Sequence, residues 1–367
     1  MPRLKYMLAM IMIVLNGFGH RDALADDDAG ESVRDRIKFI GSIHDKSLDV
    51  DLLSLIEMTK DTTQVPNLSS PGPIPTISSI AGEKLSSLRG NPTLEKLVLA
   101  AIKETAISSD RFTVLLKGLE LDKLPDRITA ELQELCIGKG DKYVNAVLRA
   151  ITNTKDQIDE RYDLLIAHGL SSAETVSYAC LSILKRRDRN LLWNSQLVEL
   201  CKTPIEGHEW ITPDFMVPYD TRCLVLRALR KNGFPSKDIV FFLNNFHSDI
   251  DSELHWQVVA TRFALLNDRE ALSLLLEAIA SNEWRDIAAK AMSENVVLPY
   301  EKRTMLLALS KPDDLPSQRI GNLLIDQFKP KDFTEPELKH LESLFIGPFF
   351  GRKSFKDWMS EEQRCSP

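Results

Sequence analysis

Apolar residues recur along this chain with a helical period, in short pieces, and almost never with the alternation of a strand. Leu94, Leu97, Val98, Ala101 and Ile102 are spaced so that all five fall on one helical face. Val144, Val147, Leu148 and Ile151 repeat the spacing, as do Leu272, Leu275, Leu276 and Ile279. The candidate helices run from 33–43 to 335–346 and include 125–137, 141–152, 155–168, 172–187 and 252–266. Capping residues punctuate them: Ser172 before Ala173-Glu174, Ser236 before Lys237-Asp238, and Thr334 before Glu335-Pro336-Glu337. Connections of about 2–5 residues force neighbouring helices to lie antiparallel. A long series of short helices joined this way favours stacking, so the expected fold class is all-α, an α-α superhelix of stacked antiparallel helix pairs.

The clearest unit spans Asn267 to Met292. Asp268-Arg269-Glu270-Ala271-Leu272 opens a first apolar helix, Ser281-Asn282-Glu283 turns the chain, and Trp284-Arg285-Asp286-Ile287-Ala288-Ala289-Lys290-Ala291-Met292 begins a second, alanine-rich helix. This resembles a HEAT repeat, with fainter echoes in Thr221–Leu229 and Lys142–Ala150. The resemblance implies architecture alone, a solenoid with a curved binding surface, and assigns no functional residue.

The first residues address the compartment. Arg3 and Lys5 precede an apolar run from Tyr6 to Leu15, and Ala23-Leu24-Ala25 has the pattern cut by a signal peptidase. The run is about half the ~20 residues that cross a bilayer, so a cleaved signal peptide over 1–25 is expected, and export to a periplasmic or secreted location. Cleavage after Ala25 removes Arg3, Lys5 and Arg21 against Asp22, moving the formal charge from −7 to −9. That acidic balance argues against nucleic acid as a partner, since neutralising phosphates needs clustered Lys and Arg. No second run is long and apolar enough for an integral membrane span, and no motif calls for a metal or other cofactor.

Two stretches break the rhythm and divide the chain beyond the leader. An N-terminal helical segment (26–61) precedes a proline-rich stretch (62–76) holding Pro66, Pro71, Pro73 and Pro75, which reads as an exposed linker. Helical repeats over 77–202 then meet a long connection at 203–219, before HEAT-like repeats over 220–346 and a C-terminal tail, 347–367. The 203–219 connection is a loop unusually rich in aromatics, and Trp210, Phe215 and Tyr219 are its candidate partner-binding residues. His208 beside Glu209 offers acid–base chemistry, with Asp214 or Asp220 as a third group. The plainer account is that the aromatics plug a gap between repeats.

Five cysteines lie beyond the leader, none in a C-x-x-C pair. Cys201 and Cys223 flank the aromatic loop and are the preferred disulfide, Cys180 competes for Cys201, and buried thiols are the third arrangement. His247 and His255 stand too far apart for one helical face to present both to a metal, and Asp251 or Ser252 explains that stretch as a helix cap. The terminal Phe349, Phe350, Phe355 and Trp358 either seal the last repeat or dock on a partner.

The leading functional expectation is a non-enzymatic interaction scaffold that holds a protein or peptide on its helical-repeat surface and the 203–219 loop. The alternative is an extracytoplasmic hydrolase centred on His208 and Glu209. Expressed with its leader, the protein should give a mature form whose N-terminal sequence starts at Asp26; a product that retains Met1 would refute export by this route.

Overall fold

The computed structural model describes residues 27–65, 74–154, 157–204, 206–212, 215–250, 252–281, 283–312, 314–345 and 355–364. The leader expected over 1–25 and Phe349 and Phe350 lie outside them. The described chain is α-helical apart from one β-hairpin and one isolated bridge, and it divides into two compact units at Tyr178/Ala179. That division falls inside the stretch expected to hold helical repeats, 77–202.

In the first unit, α1 (Asp27–Ser42), α3 (Ile77–Ser87), α5 (Ser109–Leu116) and α7 (Asp141–Thr152) pack one on the next as a layer. Between them run α2 (Asp49–Glu57), α4 (Pro92–Ile102), α6 (Asp126–Lys139) and α8 (Asp163–Gly169), with α2 against α4 and α6 against α8. Contact between alternate helices as well as consecutive ones is what stacked helix pairs produce. Helix α9 (Val176–Lys185) straddles the division. In the second unit the layer is α11 (Thr221–Asn232), α13 (Glu253–Leu266), α15 (Arg285–Met292) and α17 (Leu315–Gln327). It is flanked by α10 (Asn194–Lys202), α12 (Lys237–Asn245), α14 (Arg269–Ala280), α16 (Arg303–Ala308) and α18 (Glu335–Ser343).

The sequence periodicities are the packing faces. Val144, Val147, Leu148 and Ile151 are all buried, as are Leu272, Leu275, Leu276 and Ile279. Helix starts are fixed by side chains that accept the orphan backbone N–H groups. Asn91 accepts from Thr93 and Leu94 with Pro92 in the first turn, Ser236 accepts from Ile239, and Asp268 accepts from Glu270 and Ala271. Thr334 and Glu337 form a reciprocal capping box. Asn267 closes α13 in the left-handed region at φ 53°, which asparagine tolerates better than most residues.

Three expectations are revised. The proline-rich stretch 62–76 is no spacer between domains, since helices before and after it belong to one unit and α1 packs on α3. Its stems pair with each other: the Val65 N–H donates to Pro75 O at 2.9 Å, the Ile77 N–H to Thr63 O at 3.0 Å, and Val65 is fully buried. The two stems are thus bonded together, and residues 66–73 lie outside the described chain. The helix expected at 155–168 is shorter because Asp159 caps a separate 3₁₀ turn ahead of Asp163. The helix expected from 172 begins at Val176, after a turn in which the Ser172 hydroxyl accepts from the Glu174 N–H at 3.3 Å while donating to Asp141 Oδ2 at 2.5 Å.

Chain continuity alone does not hold the layers together. Arg111, almost wholly buried, donates to Thr59 Oγ1 at 3.2 Å and pairs with Glu104, tying α5 to the turn after α2. Arg285 reaches from α15 to Leu309 O, Asp314 and Ser317 at the start of α17. Burial raises the proton affinity of Asp314, but the Ser317 hydrogen bonds and Arg285 outweigh it and hold the carboxyl below its usual pKa. At the C-terminal end, α19 (Phe355–Arg364) lays Trp358 into the core, its Nε1 donating to Phe328 O at 3.1 Å. Phe333 and Phe355 flank that ring at 6.0 and 5.4 Å between centroids. Phe355 and Trp358, two of the four terminal aromatics, thus seal the last repeats. Trp358→Ala should therefore cost about 3–5 kcal/mol, the usual penalty for emptying such a site. Urea unfolding monitored by circular dichroism measures it, and a midpoint matching the wild type would refute the seal.

Candidate functional site

The stretch expected to be a long loop at 203–219 is a β-hairpin. β1 (Glu206–Thr212) pairs antiparallel with β2 (Phe215–Asp220). The residues that build it, Trp210, Ile211, Thr212, Phe215, Val217 and Tyr219, are strand formers by bulk and β-branching. Two prolines conceal this in the sequence, because both read as breakers. Pro213-Asp214 is a turn-type dipeptide by composition, and both residues lie outside the described chain. Pro218 is tolerable because the sheet has only two strands, so each strand has a side that carries no ladder. A bulge between Trp210 and Thr212 shifts the register near the turn.

This register places the candidate residues. Trp210 stands opposite Met216, Tyr219 opposite Gly207, and Phe215 opposite Thr212, so all three partner-binding candidates belong to one ribbon. His208 and Glu209 stand opposite Pro218 and Val217, and neither register partner carries a proton to exchange. The third group read for them, Asp220, is committed elsewhere. It caps α11 by accepting from the Arg222 N–H at 2.9 Å, and its carboxylate also takes the Arg222 guanidinium at 2.6 Å. Asp214 lies outside the described residues.

Beyond the hairpin the chain enters α11, and the layer it begins holds a polar cluster that sequence reasoning missed. Arg230, 4% exposed, donates to Gln257 O, Gln257 Oε1, Thr261 Oγ1 and Glu294 O at 2.7–3.1 Å. Gln257 in turn donates to Glu294 Oε2 at 2.9 Å. Around this centre, Arg227 pairs with Glu294 at 3.2 Å and Lys290 with Glu253 at 2.9 Å, all four side chains partly exposed. The signal was available: Arg227 and Arg230 follow the apolar run Cys223–Leu226 on the same helix, and a buried cation must be paired. The cluster gives this face two ion pairs at its edge and a fully bonded guanidinium at its centre.

Cys180, Cys201 and Cys223 come from α9, α10 and α11, and all are buried free thiols. The structure therefore has thiols where a Cys201–Cys223 bridge is the preferred sequence reading. The hairpin's own ladder closes the connection between these two cysteines, leaving no floppy loop to cross-link. Burial raises the pKa of all three thiols, with Cys180 adding to the effect at Cys201, and burial takes Cys136 to about 12.

Among the described residues no group of three or more His, Cys, Asp and Glu is placed to hold a metal ion. One cluster has the composition of a hydrolase triad. Asp141 accepts from Ser172 at 2.5 Å and faces His168 Nε2 at 3.5 Å. The serine proton goes to the carboxylate and not to the imidazole, so the arrangement ties the turn before α9 to the start of α7 without activating a nucleophile. No family model, curated protein or solved structure matches the chain.

At pH 8 the four buried thiols should resist 5,5′-dithiobis(2-nitrobenzoate) in the native protein, since the reactive thiolate is almost absent below their raised pKa values. In urea without reductant all four should label, as mapped by mass spectrometry. A missing Cys201 and Cys223 would mean a bridge, and rapid native labelling would refute the burial.

Proposed function

We propose that this protein is an exported, non-enzymatic interaction scaffold, and that the hairpin at 206–220 with the adjoining face of α11, α13 and α15 holds a protein or peptide partner. The observation that carries the reading is the hairpin itself. A two-stranded ribbon inserted between repeat helices has outer strand sides that pair with no other strand among the described residues. Such sides bind extended peptides by adding a strand, with main-chain hydrogen bonds supplying affinity. The three aromatics of the ribbon are of the kind that anchor interfaces. The partly exposed pairs Arg227–Glu294 and Lys290–Glu253 would set register and charge preference at its edge.

The HEAT-like reading of the repeats is part of the same proposal. It is supported by the contact of alternate helices in each unit and by the Arg285 tie from one helix pair to the next. Among the described residues no helix is long and apolar enough to cross a membrane.

Trp210→Ala is the direct test. With the protein from Asp26 onward as bait for a native envelope or secreted fraction, the variant should retain a specific partner at least roughly tenfold less well, the loss typical of an aromatic anchor. Far-UV circular dichroism should be unchanged. Equal retention by both proteins would remove the hairpin from the binding surface.

A further inference from the structure

Helix α13 has two working sides. Glu253, Gln257 and Thr261 recur every four residues and face the Arg230 cluster. His255, Val258, Val259 and Arg262 fall on the opposite side of the same helix, and there they line a cleft of about 130 Å³. The end of α12 and the turn after it complete the cleft with Asn244, His247 and Ser248. The turn thus brings together two histidines that helical spacing alone keeps apart.

Volume and chemistry narrow what the cleft can take. Drug-sized ligands need roughly 300–1,000 Å³, so this space suits only a small ion or functional group. Arg262 spends one amino group on Asp268 Oδ2 at 2.6 Å, but its Nε is buried and has no hydrogen-bond acceptor among the described residues. A buried guanidinium N–H without an acceptor is costly, but this one is sealed from solvent, so an anion in the cleft bonds it only once the Arg262 side chain turns outward. The other groups able to donate are the Asn244 amide, the Ser248 hydroxyl and the His247 ring, while the His255 ring already bonds the Ser248 carbonyl and gains a second N–H only on protonation. The described residues place no three metal ligands here.

We propose that this cleft is a binding site for a small oxyanion, a sulfate- or phosphate-like ion or a carboxylate, held between Arg262 and the two histidines. The site is separate from the hairpin proposed above and does not depend on it.

Charge makes the binding acid-dependent. Asp268 balances Arg262, and Asp249 from the turn faces His255, so with neutral imidazoles the cleft offers an anion little net attraction. Protonating His247 and His255 adds two positive charges. From α11 and α15, Arg227, Arg230, Lys290 and Glu294 lie across the helix, bonded to its other side or to one another. Burial, aided by Arg262, lowers the His255 pKa against the opposing pull of the Ser248 carbonyl and Asp249. An anion in the cleft would reverse that shift, because whatever binds the protonated form raises its pKa.

The test tracks the histidine ring protons of the purified protein by NMR between pH 5 and 8, with His247→Asn and His255→Gln used for assignment. Sulfate is the first probe because it stays a dianion throughout. Sodium sulfate at about twice its Kd for the protonated cleft should raise the His255 and His247 midpoints by about half a unit in total, relative to sodium chloride at the same ionic strength. Sodium acetate in a parallel titration separates the two ligand sources. A matching shift means that the cleft accepts carboxylates, and none means that it selects tetrahedral ions. Arg262→Gln should abolish the sulfate shift at His255. If that variant fails to fold, His247→Asn at an exposed position should still reduce the shift severalfold. Chloride acting as strongly as sulfate, or a shift unchanged in these variants, overturns the proposal.

Discussion

Most helices of this protein are too short to persist by themselves. Among the described residues they run from 6 to 16 residues, at or below the length at which an isolated helix is marginal in water. Each becomes stable only by burying its apolar face on the helices before, after and two places along. That dependence explains why the caps are so regular. A helix of two or three turns loses a large share of its backbone bonding at its ends, so Asn91, Ser236, Ser252, Asp268 and Thr334 matter more here than in a long helix. The arginine ties across repeats supply what apolar packing lacks, since a guanidinium bonded to named carbonyls fixes one relative placement of two helices while leucines tolerate several.

The second unit concentrates these ties around α13, a helix enclosed on several sides. Leu254, Trp256, Val258, Val259, Ala260 and Phe263 bury it on several sides, yet Gln257 and Thr261, both fully buried, sit in its middle. Those polar groups are tolerable only because Arg230 satisfies them, and Arg230 is tolerable only because they and the Glu294 carbonyl satisfy it. The hairpin enters this unit through Asp220, which ends the ribbon and caps α11 in one residue. The proposed binding surface and the polar centre are thereby connected along a single helix.

Fold class was legible because helical periodicity is a local property. The 141–152 helix is observed at its expected bounds, and the caps at Ser236 and Thr334 form as expected. Ser252, one of two expected caps, accepts from the His255 N–H, and Asp251 lies outside the described residues. The failures are where a distant residue decides. Ser172 still accepts from the Glu174 N–H but also donates to Asp141, thirty-one residues back, and Val65 is buried by a pairing across prolines that by themselves signal exposure. The hairpin was hidden by the same residue type, since a proline breaks a helix everywhere but breaks a strand only where its N–H is needed. Of the candidate site, Trp210, Phe215 and Tyr219 were legible as an unusual aromatic set. The Arg230 cluster and the His247–His255 cleft were not, because their members lie on separate helices and turns whose proximity no spacing rule encodes.

The hairpin has one more property. Its ladder is satisfied within itself, and it joins the repeats at two ends, the last turn of α10 and the cap of α11. Residues near its tip can change in identity or number without shifting the register of any helix pair, so the repeats act as a fixed chassis and the ribbon as an exchangeable part. Selection can alter what the ribbon recognises while leaving the folding problem already solved, and an engineer grafting a new recognition strand would choose the same place.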